Sequence, residues 1–271
     1  MPAILLMLDG VRPDAIAAAG CPNLTALQAR SAYTLTARSV MPSITLPCHM
    51  SIFHSVPPTR HGITDNTYIP MARPVIGLVE ALHGAGKSCA FFYNWEQLRD
   101  LSRPGYLRFS RCTNDSATNV NSDHETVAAA LVYIQKEAPD FAFVYAGTVD
   151  EAGHRYGWME EGYLAQLRHV DGAVGALMAG ISAQTTVLML ADHGGHDRSH
   201  GTEMAEDMTI PWMVSGPGVR ANYAIAGPVS LLDTAPTLAH ILGVTPPSQW
   251  EGRVIDELFA RIIPAERPHR V

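Results

Sequence analysis

Short, almost uninterrupted apolar runs punctuate the chain at 3–8, 88–93, 141–146, 185–190 and 210–214. Runs of this kind predict strands buried on both faces, as in a parallel sheet. A Thr/Ser-rich run at 33–40 adds another strand. Between these runs, helix-like stretches lie at 22–30, 75–83, 123–136, 160–179 and 232–242, with a shorter one at 49–54. The small polar residues from Thr118 to Asp123 offer N-caps to the third long helix. Alternating strand and helix predicts an α/β fold, a doubly wound, mostly parallel sheet sandwiched by helices. There is no internal repeat or low-complexity linker, so residues 1–271 read as one domain. Segment 94–111 and the tail after Pro246 read as loop-like, the former as a small substrate-facing insertion.

Composition narrows the class. Of 271 residues, 47% are hydrophobic and 17% charged, which describes a globular chain rather than a disordered one. No apolar run approaches the roughly 20 residues of a membrane helix, so no membrane partner is expected. The first apolar run ends in Asp9, without a basic region before it or a small-residue cleavage site after it. A strand is expected there, and a cytoplasmic location. Cys21, Cys48, Cys89 and Cys112 show no C-x-x-C spacing and read as free thiols. A net charge of −7 argues against a nucleic-acid polymer as partner. Lys87 and Lys136 are the only lysines, so recognition of anions by side-chain cations falls to arginine.

The polar residues at the strand ends carry the chemistry. The run 3–8 leads into Asp9-Gly10. The run 141–146 is followed by Asp150 and then His154, and 185–190 by Asp192-His193-Gly194. The carboxyl edge of an open α/β sheet is where ligands bind. Three carboxylates gathered there repel one another unless cations neutralise them. His154, His193 and His200 are imidazole ligands suited to zinc. Asp150 and His154 share a face if their segment is helical. Taken singly, Asp9-Gly10 is also a common turn and Asp192-His193-Gly194-Gly195 a plausible capped loop. His196 reads as a supporting or surface residue. Thr45 follows the strand at 33–40 and precedes the helix-like 49–54. A hydroxyl at a helix N-terminus suits attack on a phosphate, although the same position suits a simple N-cap. A free hydroxyl is a weak nucleophile and needs a metal to activate it. Downstream, the Asn66 amide is placed to donate to a phosphate oxygen.

These segments in order (L-D-G-V-R-P-D, P-S-I-T-L-P-C-H, R-H-G-I-T-D-N, V-D-E-A-G-H, A-D-H-G and S-H-G-T) resemble the successive motifs of the alkaline phosphatase superfamily, specifically its nucleotide pyrophosphatase/phosphodiesterase branch. The resemblance spans nearly the whole chain. It implies an alkaline-phosphatase-like fold and a phosphoester hydrolase with two divalent ions, zinc or alternatively manganese. One ion would be held by Asp150, His154 and His200, the other by Asp9, Asp192 and His193 beside the Thr45 oxygen. It further implies a covalent phosphothreonine and a small-molecule phosphoester substrate, with Asn66 as donor to a phosphate oxygen. Family members that bind nucleotides carry an aromatic residue after the nucleophile, where this chain has Leu46. Leu46 and Trp95 are the candidate substrate contacts. A sulfatase is disfavoured, because Cys48 lacks the Pro/Ala and Arg that aldehyde formation requires. A phosphonoacetate hydrolase would want lysines in the motif segments, and a phosphomonoesterase an arginine clamp. A phosphoglycerate-mutase-like enzyme would need a serine and an inserted domain. A non-catalytic metal-binding module would be expected to lack a ligand or the nucleophile.

Overall fold

The computed structural model describes residues 1–103 and 105–259. Eight strands form one sheet: β1 (Ala3–Leu8), β2 (Ala32–Arg38), β3 (Cys89–Tyr93), β4 (Phe109–Cys112), β5 (Phe141–Ala146), β6 (Thr186–Leu190), β7 (Thr209–Ser215) and β8 (Tyr223–Ala224). Their order is β4-β3-β5-β1-β6-β7-β2-β8. Every residue of β1, β3, β5 and β6 is buried, which is why these strands read as unbroken apolar runs. β1 lies at the centre, paired in parallel with β5 and β6.

The helices Pro13–Ala19, Pro22–Ala29, Ser122–Glu137, Thr148–Tyr156 and Glu161–Gly180 pack as one group. Thr45–His54, Pro58–His61, Leu78–Gly84 and Thr234–Ile241 pack as another. The sheet lies between them. Among the described residues no helix is long and apolar enough to cross a membrane.

Several expectations change. The run 210–214 belongs to β7, which is antiparallel to both β6 and β2. A parallel neighbour would need a crossover, whereas β7 returns directly from the loop that follows β6. That return leaves β2 pointing the same way as β6, so β2 ends on the same edge. Segment 94–111 is not a bare loop. It contains a 3-10 helix, Glu96–Leu101, and leads into β4, which pairs in parallel with β3. The helix expected at 75–83 begins at Leu78, and the one expected at 49–54 begins at Thr45. The polar run before Ser122 does not cap that helix, since the cap residue Asn121 makes no side-chain cap bond. Asp123 instead serves a different helix, described below. The tail contains a 3-10 turn, Asp256–Leu258, and residues 260–271 lie outside the described residues.

Candidate active site

The carboxyl ends of β1, β2, β5 and β6 deliver Asp9, Thr45, Asp150 with His154, and Asp192 with His193 to one rim. Asp9 is the first residue past β1. Gly10 behind it has φ +69, and a Cβ there would lie 3.0 Å from Asp150, so glycine permits the two acidic segments to touch. Helix Thr148–Tyr156 carries Asp150 and His154 one turn apart. The loop after β6 runs to His200.

Two overlapping groups form. Asp150, His154 and His200 offer ligand atoms that all lie within 4.8 Å of one another, and so do Asp9, Asp150 and His193. Asp150 therefore belongs to both. In the first group, His154 Nε2 is 3.4 Å from Asp150 Oδ2, His200 Nε2 is 3.7 Å from Asp150 Oδ1, and the two Nε2 atoms are 3.2 Å apart. In the second, His193 Nε2 is 3.3 Å from Asp9 Oδ1 and 3.4 Å from Asp192 Oδ2. Asp192 thus adjoins the second group through His193, while Asp150 completes it.

The imidazole tautomers follow from their backbone partners. His154 Nδ1 donates to the Arg198 carbonyl at 3.1 Å, His193 Nδ1 to Gly194 at 2.8 Å and His200 Nδ1 to Ser43 at 2.8 Å. Each Nε2 is then turned inward, the orientation that metal-binding histidines adopt, and carries a lone pair whenever its ring is neutral. These nitrogens and several carboxylate oxygens converge on one space. Asp9 Oδ1, Asp150 Oδ1 and Asp192 Oδ2 are buried and without a hydrogen-bond partner among the described residues. A buried orphan acceptor costs about 1–3 kcal/mol, more when it is charged. Three in one place make a polar void that a cation would fill.

The proton affinities express the same frustration. Burial, reinforced by the charges of Asp192 and Asp150, holds the Asp9 carboxyl well above its ordinary range. Burial pushes Asp192 up to about 7. It pushes His193 down to about 3, with His200 adding to the effect, so His193 stays neutral. The Asp150 hydrogen bond pushes His154 up to about 9. Burial works to raise Asp150, yet its three histidine neighbours hold it below the usual carboxylate range.

Thr45 is the first residue of helix Thr45–His54, whose cap position is Ile44. Its side chain is therefore not an N-cap. Its Oγ1 lies 3.3 Å from His193 Nε2. Asn66 Oδ1 accepts the Leu46 N–H at 3.0 Å, which leaves the Asn66 amide nitrogen as a donor. Asp9, Thr45, Asn66, Trp95, Asp150, His154 and His200 line a cavity of about 140 Å³. Leu46, expected to meet substrate, does not line it. Its side chain is 0% exposed and packs in the core, and only its backbone serves the site.

Other supporting residues were not apparent in the sequence. The Tyr145 hydroxyl donates to Asp9 Oδ2. It comes from within an apolar strand, where a tyrosine reads as core. His49 is fully buried and neutral, pushed down to about 4 by burial. Its Nδ1 donates to the Thr45 carbonyl at 2.8 Å, and its ring packs edge-on to Tyr145. Asp123 accepts from Asn94 Nδ2 at 2.7 Å, from the Gly147 N–H at 3.0 Å and from the Thr148 N–H and hydroxyl. It holds the start of the helix that carries Asp150 and His154. Trp158 packs edge-on to His154 and donates Nε1 to the Gly10 carbonyl at 2.9 Å. His196 Nδ1 donates to Asp207 at 2.7 Å, and Asp207 also takes the Thr202 N–H at 2.9 Å, tying the loop on both sides of His200.

The family model of type I phosphodiesterase/nucleotide pyrophosphatase matches residues 3–78 and 82–214. Human ectonucleotide pyrophosphatase/phosphodiesterase family member 1 is 28% identical over 222 residues, covering 71% of this chain and 23% of that protein. The chain thus spans about a quarter of the length of such curated relatives. Among solved structures, murine ectonucleotide pyrophosphatase/phosphodiesterase 5 superposes with a TM-score of 0.79 at 13% identity, covering 96% of this chain and 100% of that chain. A 2-O glycosaminoglycan sulfatase, BT1596, superposes at 0.76 with 15% identity, covering 95% and 74%. The last two likenesses show a shared alkaline-phosphatase-like fold. On the extent of the family match, this chain belongs to the type I phosphodiesterase/nucleotide pyrophosphatase family.

Proposed function

We propose that the chain is a metal-dependent phosphoester hydrolase of the diester type, with Thr45 as nucleophile. The observation that carries this reading is the convergence of three orphaned, buried carboxylate oxygens and three inward imidazole nitrogens beside Thr45 Oγ1. The donor set fits a pair of divalent cations, zinc or manganese. Asp150, His154 and His200 would hold one, and Asp9 and His193, joined by Asp192, the other. Such ions supply Lewis acidity and charge neutralisation at the phosphoryl group.

The chain's own groups do the rest. The helix that begins at Thr45 turns the positive end of its dipole toward the phosphate. The Asn66 amide nitrogen donates to a phosphoryl oxygen, its orientation fixed by the Leu46 N–H. A bond forms from Thr45 Oγ1 to phosphorus as the bond to the leaving alcohol breaks. That alcohol departs with the proton that the Thr45 hydroxyl gives up, and water then cleaves the esterified phosphothreonine to return the hydroxyl and release a monoester.

Among the described residues the cavity wall includes no lysine or arginine. That disfavours a monoester dianion or a phosphonate bearing a carboxylate, both of which carry more charge than a diester. Thr45→Ala is expected to abolish hydrolysis of bis-p-nitrophenyl phosphate while bound metal persists, and a chelator to abolish it reversibly in the wild type. Activity retained in Thr45→Ala would overturn the nucleophile, and activity retained in chelator would overturn the metal requirement.

A further inference from the structure

A second, larger cavity of about 540 Å³ adjoins the reaction cavity, and Glu151 and His154 line both. It runs along the neighbouring face of helix Thr148–Tyr156, where Glu151 and Arg155 follow one another at one-turn spacing. Glu151 stands at the border, one residue from Asp150, with Arg155 a turn further out. Among the described residues Glu151 Oε1 takes only a long bond from the Ser116 hydroxyl, at 3.5 Å. Gln166 spends its amide nitrogen on the Val120 carbonyl at 3.0 Å and the Thr148 hydroxyl at 2.7 Å, which turns its Oε1 into an acceptor still to be used. The wall therefore presents the Glu151 carboxylate where it meets the reaction cavity, and the Gln166 acceptor and the Arg155 guanidinium beyond it.

Resting on the diesterase reading above, we propose that this cavity seats the leaving alcohol of the diester. The alcohol would be a neutral, polyhydroxylated one, a sugar or polyol, with Glu151 as the specificity-determining residue. A carboxylate accepts hydrogen bonds from paired hydroxyls, as acidic residues do toward ribose. Gln166 Oε1 adds a second acceptor and Arg155 a donor to a hydroxyl oxygen. The same carboxylate opposes a pyrophosphate leaving group, whose charged oxygens sit on the phosphorus next to the bridging oxygen and would face Glu151. The buried Leu46 is consistent with this placement, since the position after Thr45 then offers no side chain to a nucleotide base, although Trp95 and Tyr145 line the reaction cavity.

The test is the ratio of kcat/KM for bis(glycerol) phosphate to that for ATP, which a partly misfolded preparation does not alter. The wild type is expected to favour the polyol diester. Glu151→Gln is expected to lower the ratio about tenfold, the loss of one hydrogen bond to a charged group. Ala165→Trp, which narrows the cavity from the opposite helix, is expected to lower it mainly through KM for the diester. A wild type that prefers ATP, or a ratio unmoved in both variants, would overturn the proposal. Bis-p-nitrophenyl phosphate is the reference for the reading beneath it. A wild type inert on that substrate as well would defeat the diesterase reading itself, whereas activity there with no polyol preference defeats only the assignment of this cavity.

Discussion

Asp123→Asn separates a residue that stabilises the fold from one that also sets the metal geometry. The Asp123 carboxylate is 0% exposed and accepts from Asn94, from Gly147 and twice from Thr148. Asparagine has nearly the same shape but keeps one acceptor oxygen. Its new amide N–H groups face donors, leaving roughly two of the four unpaired. At about 1–2 kcal/mol for each, the variant should lose about 2–4 kcal/mol of stability. Asp171 provides a matched control. It is 2% exposed and accepts from the Leu24 N–H at 2.7 Å and from Asn23 at 3.0 and 2.9 Å, but it serves helix Pro22–Ala29, which carries none of the candidate ligands. Urea unfolding should show comparable losses for Asp123→Asn and Asp171→Asn. Calorimetric titration of zinc into metal-stripped protein should separate them. Loosening the helix under Asp150 and His154 should weaken binding about 10–100-fold in Asp123→Asn, and far less in Asp171→Asn. Equal zinc affinities in the two variants would refute a positioning role for Asp123.

Further outcomes follow from the same geometry. Tyr145→Phe removes the hydroxyl bonded to Asp9 Oδ2 and should lower kcat for bis-p-nitrophenyl phosphate about tenfold with the fold intact, as checked by circular dichroism. A Cβ at Gly195 would collide with the Trp158 ring, so Gly195→Ala should displace the indole from beside His154, which zinc titration and tryptophan fluorescence would register. His54 is buried and pushed from 6.5 down to about 4, so it stays neutral in the fold while the unfolded chain protonates. Its contribution is therefore present above pH 6.5 and lost as pH falls through 4, about 3 kcal/mol in all. Urea unfolding from pH 7 to 4 should show that extra loss in the wild type relative to His54→Gln, and parallel curves would refute it.

Much of the fold was legible because the central strands are buried on both faces and so read as apolar runs. The candidate ligands were legible because each Asp stands at or shortly beyond such a run. What escaped lay where local signals mislead. β7 is as apolar as the parallel strands at the centre of the sheet, and nothing in Ile210–Val214 reports direction, which depends on how the preceding loop returns. Asp123 looks like a cap for its own helix, but its carboxylate reaches another helix start 24 residues on. Tyr145 and His49 sit in apolar surroundings, so their polar atoms announce nothing until Asp9 and Thr45 are seen beside them. Leu46 was placed by analogy with an aromatic position, yet a leucine on the inner side of a buried helix gains more by packing into the core.

The central claim, that Thr45 Oγ1 attacks phosphorus, is tested most directly by acid-quenching metal-loaded enzyme during turnover and sequencing its peptides by mass spectrometry. The expected result is one phosphoryl group on Thr45, still carrying the ester group that the released monoester keeps, that appears with substrate and decays when substrate is exhausted. A fully active enzyme whose Thr45 stays unmodified at every time point, or whose phosphoryl group sits on Ser43, would contradict it.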